Sequence, residues 1–257
     1  MTAFASDELT QDAFLGGRLR LGQPCHGYRA GVDPVLLAAC VPASPGQSVL
    51  ELGCGAGAAV LCLAARVSGL RAVGVELQPA YAELARDNAA RNQIELTVET
   101  GDLTDLPATL RQMRFHQVLA NPPYFRSNAH SPARDRGRRV ALAESDTALE
   151  DWFDVAARRL LPKGYLHMIQ RADRLPEMLA ACEGRLGAVE ILPLAARNRR
   201  SPHLVILRAR KGGRAAFRLH APLILHAGDS HDGDRESYTA DINDVLRHGQ
   251  AIEWPST

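Results

Sequence analysis

Several absences narrow the field before any motif is read. No run of apolar residues is long and uninterrupted enough to span a bilayer. The first ten residues carry Asp7 and Glu8 and lack a basic-then-apolar secretion pattern, so a cytoplasmic location is expected. No C-x-x-C pair occurs among the five scattered cysteines, Cys25, Cys40, Cys54, Cys62 and Cys182. That argues against both a disulfide framework and a zinc site, and for reduced thiols. His220, His226 and His231 lie near Asp229 and Asp232, but their spacing fits no recognised ligand pattern and no metal is expected. Internal repeats and low-complexity segments are missing. Net charge is almost missing as well: at +1 it does not announce a polyanionic partner.

What is present is an ordinary globular composition, 46% hydrophobic and 23% charged, in a 257-residue chain long enough for one large α/β domain with modest extensions. Short apolar runs that read as strands, Ser48–Leu52, Arg71–Glu76, residues 94–99, Phe115–Ala120 and residues 165–170, alternate with helical segments. The helices are expected over residues 35–41, 58–67, 79–92 and 149–161. Asp33-Pro34 supplies a start signal for the first of them. Two further strands are expected over residues 189–194 and 203–209. Such alternation predicts a mostly parallel sheet covered on both faces. The expected division is an arm and capping helix over residues 1–45, a sheet domain over 46–215 and an extension over 216–257.

Two motifs, a cofactor cradle and a tetrapeptide, fall at strand ends. Glu51-Leu52-Gly53-Cys54-Gly55-Ala56-Gly57 sits where a strand passes into a helix, and its glycines let the backbone turn sharply and approach a ligand. The spacing differs from the dinucleotide fingerprint and lacks the Lys and Ser/Thr of a phosphate-binding P-loop. Glu51 would repel pyrophosphate and suits a cationic ligand such as S-adenosylmethionine. Glu76, followed by Leu77, is placed to accept bonds from ribose hydroxyls. Asp102, followed by Leu103, is placed to accept one from an adenine amino group. Cys54 reads as a small packing residue. Asn121-Pro122-Pro123-Tyr124 closes the fourth strand. An exocyclic amine is a poor nucleophile because its lone pair is delocalised. The Asn121 side-chain oxygen and the Pro122 carbonyl can accept both of its N–H bonds and turn the lone pair toward an activated methyl group. The prolines stiffen the loop, and Tyr124 offers an aromatic face to a flipped base.

Together these residues resemble class I amino-methyltransferases dependent on S-adenosylmethionine. With Phe14 to Leu19 and the segment Gly27-Tyr28-Arg29-Ala30-Gly31-Val32-Asp33-Pro34-Val35-Leu36-Leu37, the chain resembles the bacterial tRNA(Val) (adenine-N6)-methyltransferase family. The resemblance runs from Phe14 to about Lys211, with a looser echo to Leu246. It implies a Rossmann-like, seven-stranded, mostly parallel sheet with helices on both faces and a short N-terminal arm. It also implies S-adenosylmethionine as methyl donor, S-adenosylhomocysteine as product, and the N6 amine of adenine in tRNA as acceptor. The cofactor-binding set is then Arg29, Gly31, Asp33, Glu51, Gly53, Gly55, Gly57, Glu76, Leu77, Asp102, Leu103 and Asn121. The catalytic set is Asn121, Pro122, Pro123 and Tyr124. The basic run Arg126, Arg134, Arg136, Arg138 and Arg139, with a second region over residues 197–214, is expected to hold RNA phosphates. Two other readings stay open: a protein-glutamine N5-methyltransferase acting on a translation factor, and a non-catalytic RNA-binding relative. Oligomeric state is not legible.

Overall fold

The computed structural model describes residues 3–124, 147–228 and 237–255. A nine-stranded sheet organises them, in the order β10-β8-β9-β7-β6-β3-β4-β5, with β11 also paired to β8. Its long strands are β3 (Ser48–Leu52), β4 (Arg71–Glu76), β5 (Leu96–Thr100), β6 (Phe115–Ala120), β7 (Leu160–Arg171), β8 (Gly187–Ala195) and β9 (Leu204–Arg210). These make up the expected seven-stranded sheet. Two-residue strands β10 (Arg218–Leu219) and β11 (Leu223–Ile224) extend it along β8. Pairing is parallel from β5 through β4, β3 and β6 to β7, and β9 runs antiparallel between β7 and β8.

The burial pattern explains this arrangement. All five residues of β3 are buried, as a central parallel strand covered on both faces requires. Alternate residues then serve opposite faces. Leu119 and Ile169 join one apolar cluster with Leu36 and Leu37 of α1 (Asp33–Ala39) and Leu61 of α2 (Ala58–Arg66). Val118, Ala120 and Met168 join the other, with Trp152 and Phe153 of α5 (Leu149–Arg159) and Met178 of α6 (Leu175–Cys182). Between them come α3 (Pro79–Arg91) and α4 (Ala108–Gln112). The sequence pattern marks neither α4 nor α6.

Residues ahead of the sheet form an antiparallel hairpin, β1 (Leu9–Phe14) with β2 (Leu19–Pro24). Its Leu15, Leu19 and Leu21 enter the same cluster as α1 and α2, as do Ile242 and Val245 of the last helix, α7 (Ala240–His248). Gly16, at φ 66°, is required where the hairpin meets α7, because a Cβ there would lie 2.5 Å from the Arg247 carbonyl oxygen. Trp254 donates from Nε1 to the Cys40 carbonyl at 2.7 Å, and Ile252 N–H donates to the Ala39 carbonyl at 2.9 Å. Ile252 and Trp254 are thereby strapped to the end of α1.

Several boundaries differ from those expected of the sequence, among them the end of α1 at Ala39 and the start of β8 at Gly187. The third strand is Leu96–Thr100, two residues late at its start. β7 begins at Leu160, where it pairs with Phe115, and so ends α5 two residues early. Asp33 is the first residue of α1, and its side chain caps no helical N–H; its carboxylate is engaged elsewhere.

Candidate active site

The carboxyl ends of β3, β4, β5 and β6 bring both motifs to one edge of the sheet. After β3, Gly53, Gly55 and Gly57 all adopt left-handed backbone, at φ 60°, 53° and 84°, a conformation that favours glycine. A Cβ on Gly53 would lie 2.6 Å from the Trp152 ring, so α5 braces the loop from one side. Buried Asn88 of α3 braces it from another. Its Nδ2 donates to the carbonyls of Ala56 and Gly22, and its Oδ1 accepts the Gly22 N–H. One side chain therefore joins the glycine loop, α3 and the hairpin. Cys54 packs against Gly74, and burial pushes its thiol well above the usual range, as suits an inert packing group.

The two glutamates are buried. Glu51 is 3% exposed and accepts the Val60 N–H in the first turn of α2 at 2.8 Å. Desolvation raises its pKa to about 8; the Val60 bond opposes the rise and the Glu76 charge adds to it. Glu76, 7% exposed, accepts the Gly55 N–H on one oxygen and the Gln78 N–H on the other. Burial raises its pKa also. Two buried carboxylates beneath a glycine cradle, with no cationic side chain bonded to either among the described residues, fit a positively charged ligand. Asp102 is exposed, and its Oδ1 accepts both the N–H and the hydroxyl of Thr104. Leu77 is exposed beside the cradle, whereas Leu103 is buried in the sheet's second cluster.

Asn121-Pro122-Pro123-Tyr124 leaves β6 on this edge. Buried Gln170, near the end of β7, donates from Nε2 to the Pro122 and Pro123 carbonyls at 3.3 and 3.4 Å. Tyr124 donates its hydroxyl to Asp33 Oδ2 at 2.7 Å. Desolvation and the Asp33 charge raise the phenol's pKa, so it stays protonated. Asp33 thus acts on the tetrapeptide and not as a helix cap. Asn121 Nδ2 donates to the Tyr28 hydroxyl at 3.4 Å. Tyr28 is 47% exposed, and its ring lies over Gly55.

The segment carrying Tyr28 is held by the hairpin. Buried Gln23 bonds both the Ala30 N–H and the Ala30 carbonyl. Arg29 ties the segment down as well, its guanidinium donating to Thr10 Oγ1, the Pro24 carbonyl and Asp12 Oδ2. The Arg29 guanidinium is thereby engaged by the hairpin. Gly31 is exposed, and a Cβ there would meet nothing within 4 Å. Tyr28, Tyr81, Asn88 and Gln170 escape the sequence-based set of site residues. Only Tyr28 leaves a signal, its place in the Gly27–Leu37 segment.

The first basic run, Arg126 to Arg139, lies outside the described residues. The second does not form one surface. Arg197 is buried and bonds the carbonyls of Ala227 and Gly228 and the Ser237 hydroxyl. Arg208 pairs with Glu190 and stacks over Trp254, while Lys211 donates to the Leu160 carbonyl. Exposed Arg199 and Arg200 stand in the β8–β9 loop, at the same sheet edge as the tetrapeptide. Among the described residues, no group of three or more His, Cys, Asp or Glu could hold a metal ion, and no helix is long and apolar enough to cross a membrane.

Comparison with known proteins agrees with this arrangement. Residues 49–140 match a family model described as a methyltransferase domain. A tRNA1(Val) (adenine(37)-N6)-methyltransferase of Porphyromonas gingivalis is 35% identical over 65% of this chain and 68% of its own. One of Dickeya chrysanthemi is 30% identical over 72% and 74%. Among solved structures, a predicted O-methyltransferase of Agrobacterium tumefaciens aligns with a TM-score of 0.68 and 28% identity, covering 86% of this chain and 98% of that one. A Thermus thermophilus 16S rRNA methyltransferase shares the fold, with a TM-score of 0.56, 22% identity and coverage of 79% and 50%. From the glycine cradle, the paired glutamates, the tetrapeptide and these matches, the chain belongs to the tRNA1(Val) (adenine(37)-N6)-methyltransferase family, S-adenosylmethionine-dependent enzymes of the class I fold.

Proposed function

We propose that this protein methylates the exocyclic N6 amine of an adenine in tRNA, with adenine 37 of tRNA1(Val), the acceptor named for its relatives, as the first to test. The observation that carries the reading is Asn121-Pro122-Pro123-Tyr124 at the end of β6, beside the Gly53–Gly57 cradle and above Glu51 and Glu76. Bound there, S-adenosylmethionine supplies an electrophilic methyl group on a sulfonium, leaving S-adenosylhomocysteine as product. Gly53, Gly55 and Gly57 let the backbone approach it. Glu51 would counter its positive charge, Glu76 would accept from its ribose and Asp102 from its adenine, with exposed Leu77 alongside.

The acceptor base stacks on Tyr124, whose ring Asp33 holds in place through the hydroxyl. Asn121 Oδ1 accepts one N–H of the amine. The Pro122 carbonyl, which keeps a second lone pair beside the Gln170 bond, accepts the other. The nitrogen lone pair would then point out of the ring plane toward the methyl carbon. As the N–C bond forms the S–C bond breaks, and the cationic nitrogen gives up a proton to solvent, so these fixed acceptors act without a strong general base. Arg199 and Arg200, together with the Arg126–Arg139 run, supply cations for tRNA phosphates. Reduced thiols and a tRNA substrate support a cytoplasmic location.

The test is methyl transfer from radiolabelled S-adenosylmethionine to unmodified tRNA, with nucleoside analysis of the product. Labelled N6-methyladenosine is expected. Label in a protein glutamine, or none in RNA despite measured cofactor binding, would overturn the acceptor and keep the methyltransferase.

A further inference from the structure

Asn121 as an acceptor faces an orientation problem. A carboxamide presents an acceptor oxygen on one side and a donor NH2 on the other. Turned by half a rotation, Asn121 would aim its own N–H groups at the amine and repel the acceptor nitrogen. Something must hold Nδ2 on the far side, and that something has to be a hydrogen-bond acceptor.

Among the described residues the acceptor is the Tyr28 hydroxyl, 3.4 Å from Asn121 Nδ2. At that length the bond is weak in isolation, although such contacts are often long before substrate arrives and tighten in the complex. Its weight comes from how firmly Tyr28 is placed. Buried Tyr81 of α3 clamps the Tyr28 backbone twice: the Tyr28 N–H donates to the Tyr81 hydroxyl at 2.9 Å, and that hydroxyl donates to the Tyr28 carbonyl at 3.0 Å. Gly27 makes the approach possible. At φ 111° it turns the chain, and a Cβ there would stand 2.9 Å from the Tyr81 hydroxyl. Gln23 pins Ala30 two residues further on from Tyr28. A tyrosine hydroxyl, neutral at physiological pH, can accept from Nδ2 while donating its own proton elsewhere.

We infer that Tyr28 is a positioning residue for methyl transfer, its hydroxyl holding the Asn121 carboxamide so that Oδ1 faces the acceptor amine. The inference rests on the amine-acceptor reading of the tetrapeptide. Gln170 sets the loop's backbone from beneath, and Tyr28 sets the side chain from above. The hairpin, which carries no reacting group, acquires a purpose: it delivers Tyr28.

Tyr28→Phe keeps the ring over Gly55 and the backbone clamp while removing only the hydroxyl. Its kcat is expected to fall about ten-fold, with the S-adenosylmethionine Kd unchanged within about two-fold. In 15N spectra of the cofactor-bound protein, the Asn121 side-chain amide should move upfield and exchange faster with solvent. Introduced into Asn121→Ser, the same change should cost nothing further. Tyr81→Phe, which loosens the clamp, should reproduce the kcat loss in milder form. An unchanged kcat and unchanged Asn121 amide resonances would overturn the inference. A raised cofactor Kd with kcat intact would do so too, reassigning Tyr28 to cofactor retention. If the wild-type protein methylates no tRNA, the substrate reading fails, yet the Asn121 resonances still decide the role of Tyr28.

Discussion

Glu51 is a single carboxylate whose environment makes opposite demands with and without ligand. Burial favours its protonated form, with a pKa of about 8 against an ordinary 4.5, whereas a cationic ligand favours the ionised form. Below about 4.5 folded and unfolded chains are both protonated. Between about 4.5 and 8 the unfolded chain ionises while the buried group keeps its proton, so this group's contribution to stability declines as pH rises and is gone above about 8. Binding of S-adenosylmethionine at pH 7 should therefore release protons, measurable by calorimetry in buffers of different ionisation enthalpy. Glu51→Gln should raise the melting temperature of the ligand-free protein at pH 9 and weaken cofactor binding at least ten-fold. A melting temperature unchanged at that pH would show that the site tolerates the charge. Asn121→Ala should lower kcat at least about hundred-fold with cofactor Kd nearly unchanged, since it removes an acceptor aimed at the amine. Full activity in that variant would remove Asn121 from catalysis.

At the scale of elements, the glycine loop shows how a strand-to-helix turn becomes a binding cradle. Gly53→Ala combines a left-handed backbone with a Cβ 2.6 Å from the Trp152 ring. A loss of about 1–3 kcal/mol in chemical denaturation is expected, together with weaker cofactor binding. Stability within about 0.5 kcal/mol of wild type, the range of silent substitutions, would mean that α5 yields easily. Elements of this kind are legible because their signals are local. β3, β4 and β6 have the bounds that the apolar runs predict, and Pro79 opens α3. The hairpin is not legible. Its burial alternates only partly in β1, and its second strand is covered by α2 and α3, elements remote in sequence. α4 escapes because five residues give too few turns for a period to show.

Across the whole molecule, the two chain ends meet on one face of the sheet. Trp254 ties the C-terminal segment to α1 and β9, donating to the Cys40 carbonyl and lying under the Arg208 guanidinium. Trp254→Ala should cost about 2–3 kcal/mol by lost packing, read as a lower denaturation midpoint, with cofactor affinity retained. A silent substitution would mean that the final residues are dispensable for folding. The second basic region shows the same dependence on tertiary context. Arg197, Arg208 and Lys211 hold the chain together, and only where the β8–β9 loop reaches the active edge do Arg199 and Arg200 stand exposed.

The amino-acid sequence by itself determined the chemistry: a glycine turn flanked by carboxylates at strand ends, and Asn-Pro-Pro-Tyr after the fourth strand. Each of these depends on neighbours within a few residues, so it is written in local order. Tertiary structure alone decided which distant side chains serve that chemistry. Asp33 reaches Tyr124 across 91 positions, Gln170 reaches Pro122 across 48, and Tyr28 reaches Asn121 across 93. Arg29, Tyr28's neighbour in the chain, is drawn instead to Asp12. Such pairings arise from how the hairpin, α1 and the sheet pack against one another, and no spacing along a chain encodes a contact that only packing creates.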